Sequence, residues 1–309
     1  MGKRLALLAT IAAALFAAGG CGSDSDSSNK DSAALPGKGK PAVRLATKNF
    51  TEQYVLGELY AQALRAKGFT IVLKENVGSS EIVDRALADG VIDVYPEYIG
   101  VIAQELARNS DRPKSADETY ARAKAYEEKR DFTILDRTPG FDADANAVRP
   151  KLARKYKLKT TADLKRLGRF TYGGPPENAT RFQGALGMRK VYGLTKLVYV
   201  PLTIEQRYPA LDAGRIDVAA VFTTEGQLTQ KKKYVLLADP KGIFGFQNIA
   251  PVVSKKVLRE QGPAFAAVLN AVSAKLTNKA LQDMNGAVDL HGKKPADVAR
   301  AFLRANGLI

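Results

Sequence analysis

The 309-residue sequence is poor in the side chains that most often bind metals or act as nucleophiles. It contains one cysteine, one histidine, three methionines and no tryptophan. A single cysteine, Cys21, cannot form an intramolecular disulfide, and an odd cysteine in a secreted protein indicates a modified or reactive thiol. With His291 as the only histidine, a Cys/His zinc site, a His-containing triad and a thiol protease are implausible. His291 is predicted to be exposed, and neither a metal nor a cofactor is expected.

Long hydrophobic runs are also missing, apart from one near the N-terminus. The apolar run Leu5–Ala18 follows two basic residues, Lys3 and Arg4, and is too short to span a bilayer comfortably. Two small glycines separate this run from the cysteine. Residues 1–21 are therefore interpreted as a secretory signal peptide rather than a transmembrane helix.

The sequence "AGGC", which ends at Cys21, resembles a bacterial lipobox, in which the cysteine is lipidated. The leucine that is usual three residues before the cysteine is Ala18 here. Lipidation would hold the protein at the outer face of the cytoplasmic membrane, and ordinary secretion with a free thiol is the alternative. Residues 22–40 are rich in Ser, Asp and Gly. They are predicted to form a disordered tether with an end-to-end distance of roughly 25 Å.

The charge balance is basic, with 47 Lys and Arg side chains against 32 Asp and Glu and a formal net charge of +15. Such an excess can indicate nucleic-acid binding or attraction to an anionic surface. The basic residues are scattered, apart from "KKK" at 231–233, and no nucleic-acid motif is recognisable. Nucleic acid is therefore not expected as a partner.

One pattern occurs twice in the chain. The sequence "ALADGVIDVYPEYIG" runs from 86 to 100, and "ALDAGRIDVAAVFTTEG" runs from 210 to 226. Each indicates the end of a helix, a turn and a buried "IDV" strand, so two α/β units are predicted, each with this strand at its centre. Tyr98 and Phe222 follow these strands, at the edge where open α/β sheets bind ligands. The two rings are either two walls of a shared cleft or ordinary core residues.

The order of elements supports the same division. Strand, helix, strand, helix and strand over 42–98 predict a parallel sheet with right-handed crossovers. The two helices are predicted to end at Gly68 and Gly90. The pattern restarts in the second half of the chain, and the C-terminal part is mostly helical. Because Asp93 recurs as Asp217 in the second copy, both carboxylates are expected to be structural rather than catalytic.

Seven stretches carry a resemblance to a known family: "ATKNFTEQYVLGELYAQAL", "NVGSSEIVDRALADGVIDVYPEYIG", "AVRPKLARKYKLKTTADL", "ENATRFQGALGMRKVYGL", "RIDVAAVFTTEGQL", "FGFQNIAPVVS" and "ADVARAFLRANGLI". In order and spacing the chain resembles the extracytoplasmic substrate-binding proteins of ABC importers for glycine betaine, choline and related osmoprotectants. The resemblance implies an α/β, two-lobed periplasmic-binding-protein-like fold (type II-like) with a ligand cleft between the lobes. Lobe one is expected to comprise 41–141 plus 249–309, including the C-terminal helices, and lobe two 142–248.

The resemblance also implies site residues. A quaternary ammonium is recognised by aromatic faces, and a carboxylate by Arg, Lys or backbone N–H donors. The family's carboxylate-binding arginine, which opens a helix of lobe two, corresponds to Arg181, and a helix N-terminus favours an anion. Lys48 corresponds to a ligand contact in lobe one. Asp142 corresponds to a polar ligand contact in a segment that crosses from one lobe to the other.

The aromatic cage of the family is only partly present. Tyr98 fits a cage tyrosine, and Phe222 keeps the ring of another without its hydroxyl. Asp144 and Gln247 occupy two positions that are commonly aromatic, although Phe246 could replace Gln247 after a small loop shift. Asp144 could give a cation a direct counter-charge, which would suit an amino acid or a polyamine-like ligand as well as a quaternary amine.

The expected function is that of a monomeric, lipid-anchored, extracytoplasmic binding protein. It would capture a small quaternary-ammonium or zwitterionic osmolyte and deliver it to an ABC permease, closing its lobes around the ligand. The alternatives are a binding protein for another cationic or zwitterionic solute, such as an amino acid or a polyamine, and an enzyme on the same scaffold. An enzyme would need a catalytic group or a cofactor attachment in the cleft, and the sequence offers no histidine or cysteine for that purpose.

Overall fold

The computed structural model describes residues 34–109, 111–230 and 232–309. Residues Leu35–Ile309 form one compact unit. The predicted signal peptide, with Cys21, lies outside the described residues, as does most of the predicted tether. Within the described ranges, no helix combines the length and the apolar character that crossing a bilayer requires.

The folded body begins before the predicted end of the tether. Gly37 is buried, and its N–H donates to the carbonyl of Lys67 at 2.9 Å. A Cβ at Gly37 would lie 2.2 Å from the backbone nitrogen of Phe69, so the two backbone segments pass very close to each other. The boundary at residue 40 is therefore wrong, because the chain already packs against the folded body from Leu35 onward.

The described residues form ten strands. In chain order they are β1 (Val43–Ala46), β2 (Ile71–Lys74), β3 (Val94–Tyr98), β4 (Phe132–Ile134), β5 (Asp144–Val148), β6 (Phe170–Gly174), β7 (Leu197–Pro201), β8 (Val218–Phe222), β9 (Val235–Leu237) and β10 (Ile249–Ser254). They make two five-stranded sheets, ordered β2-β1-β3-β10-β4 and β7-β6-β8-β5-β9. We call the first sheet with its helices lobe one, and the second sheet with its helices lobe two.

Each sheet is mixed rather than parallel throughout. In lobe one, β1 pairs in parallel with β2 and β3, whereas β10 runs antiparallel to both β3 and β4. In lobe two, β5 runs antiparallel to β8 and β9. The parallel pairing predicted over 42–98 is thus confirmed for β1, β2 and β3. The antiparallel strands β5 and β10 each enter their sheet from the other lobe. β3 and β8 lie at the centres of the sheets, which confirms the interpretation of the repeat.

Helices cover both sheets. The α-helices of the described residues are α1 (Thr51–Ala66), α2 (Ser80–Ala88), α3 (Ala116–Glu128), α4 (Pro150–Tyr156), α5 (Ala185–Tyr192), α6 (Arg207–Asp212), α7 (Lys255–Gln261), α8 (Pro263–Ser273), α9 (Asn278–Asp289) and α10 (Pro295–Ala305). A π-helical segment, Val101–Leu106, follows β3, and short 3₁₀ turns span Thr161–Leu167, Pro176–Ala179 and Gly226–Thr229. Gly68 and Gly90 follow α1 and α2 with φ of +84° and +67°, as predicted.

The core of lobe one forms around α1. Helices α8, α9 and α10 pack against α1, so the C-terminal part of the chain belongs to lobe one. Leu56 and Leu59 of α1, Phe265 and Leu269 of α8 and Leu303 of α10 are fully buried in one apolar cluster. Full burial of each such side chain is worth about 1.5–3 kcal/mol.

The aspartates of the two "IDV" copies, Asp93 and Asp217, make equivalent hydrogen bonds in the two lobes. The carboxylate of Asp93 accepts from the backbone N–H of Arg44 and from its guanidinium, at 2.6–2.9 Å. Asp217 accepts from the N–H and the hydroxyl of Thr171, both at 2.9 Å. Each aspartate thus ties the central strand of its sheet to the neighbouring parallel strand, as expected for a structural carboxylate.

Two chain segments, each leading from one sheet to the other, form the hinge. They run beside each other, with an antiparallel bridge between Phe141 and Asn248. The N–H of Asp142 donates to the carbonyl of Gln247 at 3.0 Å, and Asn248 Nδ2 donates to the carbonyl of Thr138. The hinge is therefore a short hydrogen-bonded ladder.

Candidate ligand-binding cleft

A cavity between the lobes brings together all seven positions that the sequence assigned to a ligand. These positions are Lys48, Tyr98, Asp142, Asp144, Arg181, Phe222 and Gln247. The rest of the lining is Asn49, Phe50, Ser79, Ser80, Val101, Glu177 and Ile204. We call this space the cage cavity. Its free volume is about 40 Å³, so the lobes lie close together in this structure.

Three aromatic rings from both lobes line the cage cavity. Tyr98 ends β3, Phe222 ends β8, and Phe50 lies between β1 and α1. The Phe50 ring centroid is 6.4 Å from that of Tyr98 and 5.4 Å from that of Phe222. These separations are those of favourable aromatic pairs. The cleft interpretation of Tyr98 and Phe222 thus fits their position, and both rings are at the same time packed against neighbours.

Phe50 was missed by the sequence reasoning. Its signal was present, because it stands two residues after Lys48 in the loop at the carboxyl end of β1. Ligands of open α/β sheets bind at that edge. The same rule that selected Tyr98 and Phe222 therefore also selects Phe50.

Lys48 is buried among these rings. Its side chain is 4% exposed, and its ammonium forms an ion pair with the fully buried Glu97. Nζ also donates to Ser80 Oγ at 3.1 Å and lies 4.1 Å from the ring centroid of Tyr98 and 5.7 Å from that of Phe50. Burial lowers the pKa of Lys48, while Glu97 opposes that effect.

Arg181 spans the cleft but does not open a helix. It lies between the 3₁₀ turn Pro176–Ala179 and the start of α5, so the predicted support from a helix N-terminus is wrong. Its guanidinium forms a forked pair with Glu81 on α2 of lobe one, with Nη2 at 2.8 Å from both carboxylate oxygens. Forked pairs of this kind are strong and geometrically specific. Arg181 is thus a cation at the cavity wall that already holds a carboxylate.

A buried carboxyl group forms the centre of a hydrogen-bond network between the lobes. Glu52 of α1 accepts from the hydroxyl of Tyr98 at 2.8 Å, from Asn285 Nδ2 at 2.9 Å and from the hydroxyl of Thr224 in lobe two. Asp142 accepts from the N–H of Thr224 at 3.1 Å. Burial raises the pKa of Glu52, and burial together with the nearby Glu52 carboxylate raises that of Asp142 well above its usual value.

Asp144 and Gln247 are polar walls of the cage cavity. Asp144 begins β5 and pairs in register with Phe222 of β8. Burial raises the pKa of Asp144 to about 6, and Arg181 opposes that effect. Gln247 is buried, and its Oε1 has no hydrogen-bond partner among the described residues. Phe246 does not replace it, because that ring lines a separate groove on the hinge side.

A second cavity of about 310 Å³ lies beside the cage cavity, and we call it the side cavity. The two share Phe50, Asp142, Ile204 and Phe222 as a common wall. The other residues of the side cavity are Thr51, Glu52, Glu205, Arg207, Tyr208, Pro209, Thr224, Glu225, Gln227, Asn285 and Asp289. Among residues 34–109, 111–230 and 232–309, no group of His, Cys, Asp and Glu side chains is arranged to hold a metal ion.

Comparison with known proteins identifies the family. Residues 41–305 match the family model described as the substrate binding domain of ABC-type glycine betaine transport system. The chain belongs to this family. One relative of this binding protein is the glycine betaine-binding protein YehZ of Escherichia coli (strain K12), 29% identical over 286 residues that cover 88% of this chain and 93% of that protein.

A second relative and a solved structure are also similar to this chain. The ergothioneine transport permease/ergothioneine binding protein EgtU of Helicobacter pylori (strain G27) is 28% identical over 271 residues, which cover 87% of this chain and 48% of that protein. The crystal structure of a glycine betaine/carnitine/choline ABC transporter matches with a TM-score of 0.70 at 24% identity, covering 86% of this chain and 99% of that one. The likeness confirms the predicted two-lobed α/β fold. This binding protein thus belongs with the substrate-binding proteins of transporters rather than with an enzyme family.

Proposed function

We propose that this binding protein captures a small betaine, a molecule that carries both a quaternary ammonium and a carboxylate. The observation that supports this most directly is the juxtaposition, in one cavity between the lobes, of three aromatic rings with the cations Arg181 and Lys48. Aromatic faces attract a quaternary ammonium, which has no N–H to donate. A guanidinium binds a carboxylate through two parallel hydrogen bonds. The names of two relatives, which mention glycine betaine and ergothioneine, point to the same class of ligand.

Lobe closure would couple binding to delivery. Tyr98 and Phe50 belong to lobe one, whereas Phe222 and Arg181 belong to lobe two. A ligand that contacts both lobes stabilises the closed state over the open one. We propose that this closed, loaded form is what an ABC permease partner recognises, and that the protein acts as a monomer.

Isothermal titration of the purified protein with glycine betaine tests the proposal. We expect binding by the natural protein and a loss of about tenfold or more in affinity for Arg181→Ala, since a charge-assisted bond is worth roughly 1.5–3 kcal/mol. Glu81→Gln is the matched control, because it removes the partner of Arg181 and leaves the guanidinium free. It should bind glycine betaine at least as tightly as the natural protein. Equal losses in both variants would mean that Arg181 only links the lobes.

A second ligand class has specific support in the cavity. Asp144 and the Oε1 of Gln247, for which the described part of the chain offers no partner, are both acceptors. Two acceptors suit a cation with N–H donors, such as an amino acid or a polyamine. The same titration with amino acids and polyamines separates the two classes. Tight binding of one of these solutes, together with no heat from glycine betaine, would favour this alternative.

We also propose that Cys21 carries a lipid that anchors the protein at the outer face of the membrane. The support is the signal-like N-terminus and the Ser- and Asp-rich sequence between Cys21 and Leu35. Cys21→Ala should move the protein from the membrane fraction to the soluble exported fraction, because the acyl chains supply the membrane affinity. Retention of the Cys21→Ala variant in the membrane fraction would contradict a lipid anchor at this residue.

A further inference from the structure

The side cavity is larger than the cage cavity and more acidic. Its volume is about 310 Å³, against about 40 Å³ for the cage cavity, and small organic ligands occupy cavities of this size. Arg207, the one basic residue among its described lining residues, already forms an ion pair with Glu225. The carboxyl groups of the lining belong to Glu52, Asp142, Glu205, Glu225 and Asp289. The side cavity thus carries an excess of acidic groups.

These carboxyl groups lack counter-charges at both ends of the side cavity. Glu52 and Asp142 form its buried end, where burial raises the pKa of both groups and Glu52 raises that of Asp142 further. Glu205 and Asp289 form its exposed end, where partial burial raises the pKa of Asp289 and Glu205 adds to the effect. A raised carboxyl pKa means that the charged form is poorly compensated. A cation in the side cavity would supply that compensation.

Two amide groups in the same walls offer further acceptors. Asn285 is 3% exposed, and its Nδ2 donates to Oε2 of Glu52 at 2.9 Å and to the carbonyl of Thr224 at 3.0 Å. Nε2 of Gln227 donates to Oδ2 of Asp289 at 3.4 Å. Both amide nitrogens thus face acceptors, which fixes the orientation of each amide. No group in the described ranges donates to the buried Oδ1 of Asn285 or Oε1 of Gln227.

The donors that these walls require define the class of ligand. A quaternary ammonium has no N–H for the two amide oxygens, whereas a primary ammonium has three. Asn285 and Asp289 are four residues apart on α9, which is a rise of about 6 Å along the helix. A four-carbon chain separates two ammonium groups by about the same distance. Phe50 and Phe222 give the cavity an apolar wall for the methylene groups of such a chain.

We propose that the side cavity is a second binding site, distinct from the cage cavity, and that it takes a small aliphatic diamine such as 1,4-diaminobutane. One ammonium lies beside Glu52 and Asn285, and the other lies beside Gln227 and Asp289. Glu52, Asn285 and Asp289 belong to helices of lobe one, whereas Gln227 follows β8 in lobe two. The diamine therefore contacts both lobes and favours their closed state. A solute in the cage cavity favours the same state, so each ligand raises the affinity for the other.

Isothermal titration of the purified protein with 1,4-diaminobutane tests the second site. We expect binding by the natural protein and a loss of at least about fivefold in affinity for the double variant Glu205→Gln/Asp289→Asn, which removes the two exposed carboxylates of the side cavity. The ligand 1-aminobutane keeps the chain and has one ammonium, and should bind at least about fivefold more weakly than the diamine. Absence of diamine binding by the natural protein overturns the inference.

The double variant Asp212→Asn/Asp283→Asn is the matched control. It removes the same number of negative charges, one from each lobe, at side chains that are 43% and 58% exposed and pair with surface lysines. Neither aspartate lines the side cavity. The diamine affinity of this variant should stay within about twofold of that of the natural protein. Equal losses in the two double variants would show that the diamine responds only to net charge, and would overturn the site.

Titration of both ligands together separates the two cavities. At saturating 1,4-diaminobutane we expect the affinity for glycine betaine to rise at least about threefold. Competition between the two ligands, with a loss of diamine binding in Asp144→Asn, would place the diamine in the cage cavity and overturn the second site. An unchanged affinity for glycine betaine would overturn the coupling through lobe closure. If glycine betaine does not bind at all, the proposed function fails, and the two double variants still decide whether the diamine occupies the side cavity.

Discussion

Replacing Arg207 with Met should lower the free energy of unfolding by about 3–5 kcal/mol. Arg207 is 1% exposed and forms an ion pair with Glu225, which also accepts from the hydroxyl of Tyr208 at 2.6 Å. Arg207 Nε donates to the carbonyl of Ile204 at 2.8 Å. Removal of the guanidinium leaves the buried Glu225 without its counter-charge, and a buried charge without a partner is costly. Urea unfolding followed by circular dichroism measures the change.

A surface arginine gives the matched control for this experiment. The side chain of Arg85 is 83% exposed. Its Nε lies 3.7 Å from Oδ2 of Asp89, one helical turn away. Arg85→Met should change the free energy of unfolding by less than about 1 kcal/mol, because exposed pairs contribute little. The double variant Arg207→Met/Glu225→Gln should recover part of the loss, since it removes both charges. A loss below about 1 kcal/mol for Arg207→Met alone would mean that this pair does not stabilise the lobe.

The Arg207→Met substitution should also affect the cage cavity. The guanidinium lies 4.9 Å from the ring centroid of Phe222. It therefore supports, from the side cavity, the ring that faces the cage cavity. We expect Arg207→Met to weaken ligand binding as well, through the position of Phe222 rather than through a direct contact.

Gly226→Ala should weaken the binding of glycine betaine by about tenfold to a hundredfold. Gly226 starts the 3₁₀ turn after β8 in lobe two and meets Gly286 of α9 in lobe one. A Cβ at Gly226 would lie 2.3 Å from the Cα of Gly286 and 2.6 Å from its backbone nitrogen. Backbone atoms cannot yield as a flexible side chain does, so the lobes must separate at this point. Overpacking of this kind costs about 1–3 kcal/mol.

The opposite glycine makes a stringent control. A Cβ at Gly286 would meet the Cα of Gly226 at 3.6 Å, which is an ordinary contact. Gly286→Ala should therefore retain binding, and should stabilise α9 slightly because alanine is the better helix former. Small-angle scattering should show a larger radius of gyration for Gly226→Ala than for Gly286→Ala in the presence of ligand. Equal affinities of the two variants would show that the lobes do not need this contact to close.

Sequence patterns were sufficient for the features that depend on local periodicity. The repeat around Asp93 and Asp217 predicted two buried central strands, and the strand order confirms both. Each of these strands places its aromatic residue, Tyr98 or Phe222, at the carboxyl edge of its own sheet, where open α/β sheets bind ligands. That the two edges face each other depends on how the lobes pack, which local periodicity does not encode.

Features that depend on distant or competing contacts were not predictable in the same way. The stretch 151–168 predicts one helical region, yet α4 ends at Tyr156 and Lys157 adopts a left-handed φ of +51°. Asp163 then accepts from the N–H of Thr160 at 2.8 Å and starts a separate 3₁₀ turn. Such side-chain bonds to the backbone compete with a continuous helix. Likewise, the pairing of Arg181 with Glu81 joins residues one hundred positions apart, and no periodicity encodes it.

The hydrogen-bonded hinge has a consequence for the entropy of ligand capture. Two chain segments connect the lobes, and they are hydrogen-bonded to each other through Asp142, Gln247 and Asn248. A single flexible linker would let the open lobes sample many relative orientations, all of which would be lost on closure. The paired hinge restricts the open lobes to few of these orientations in advance. Less conformational freedom remains to be lost on closure, so a small solute with few contacts can still hold the lobes together.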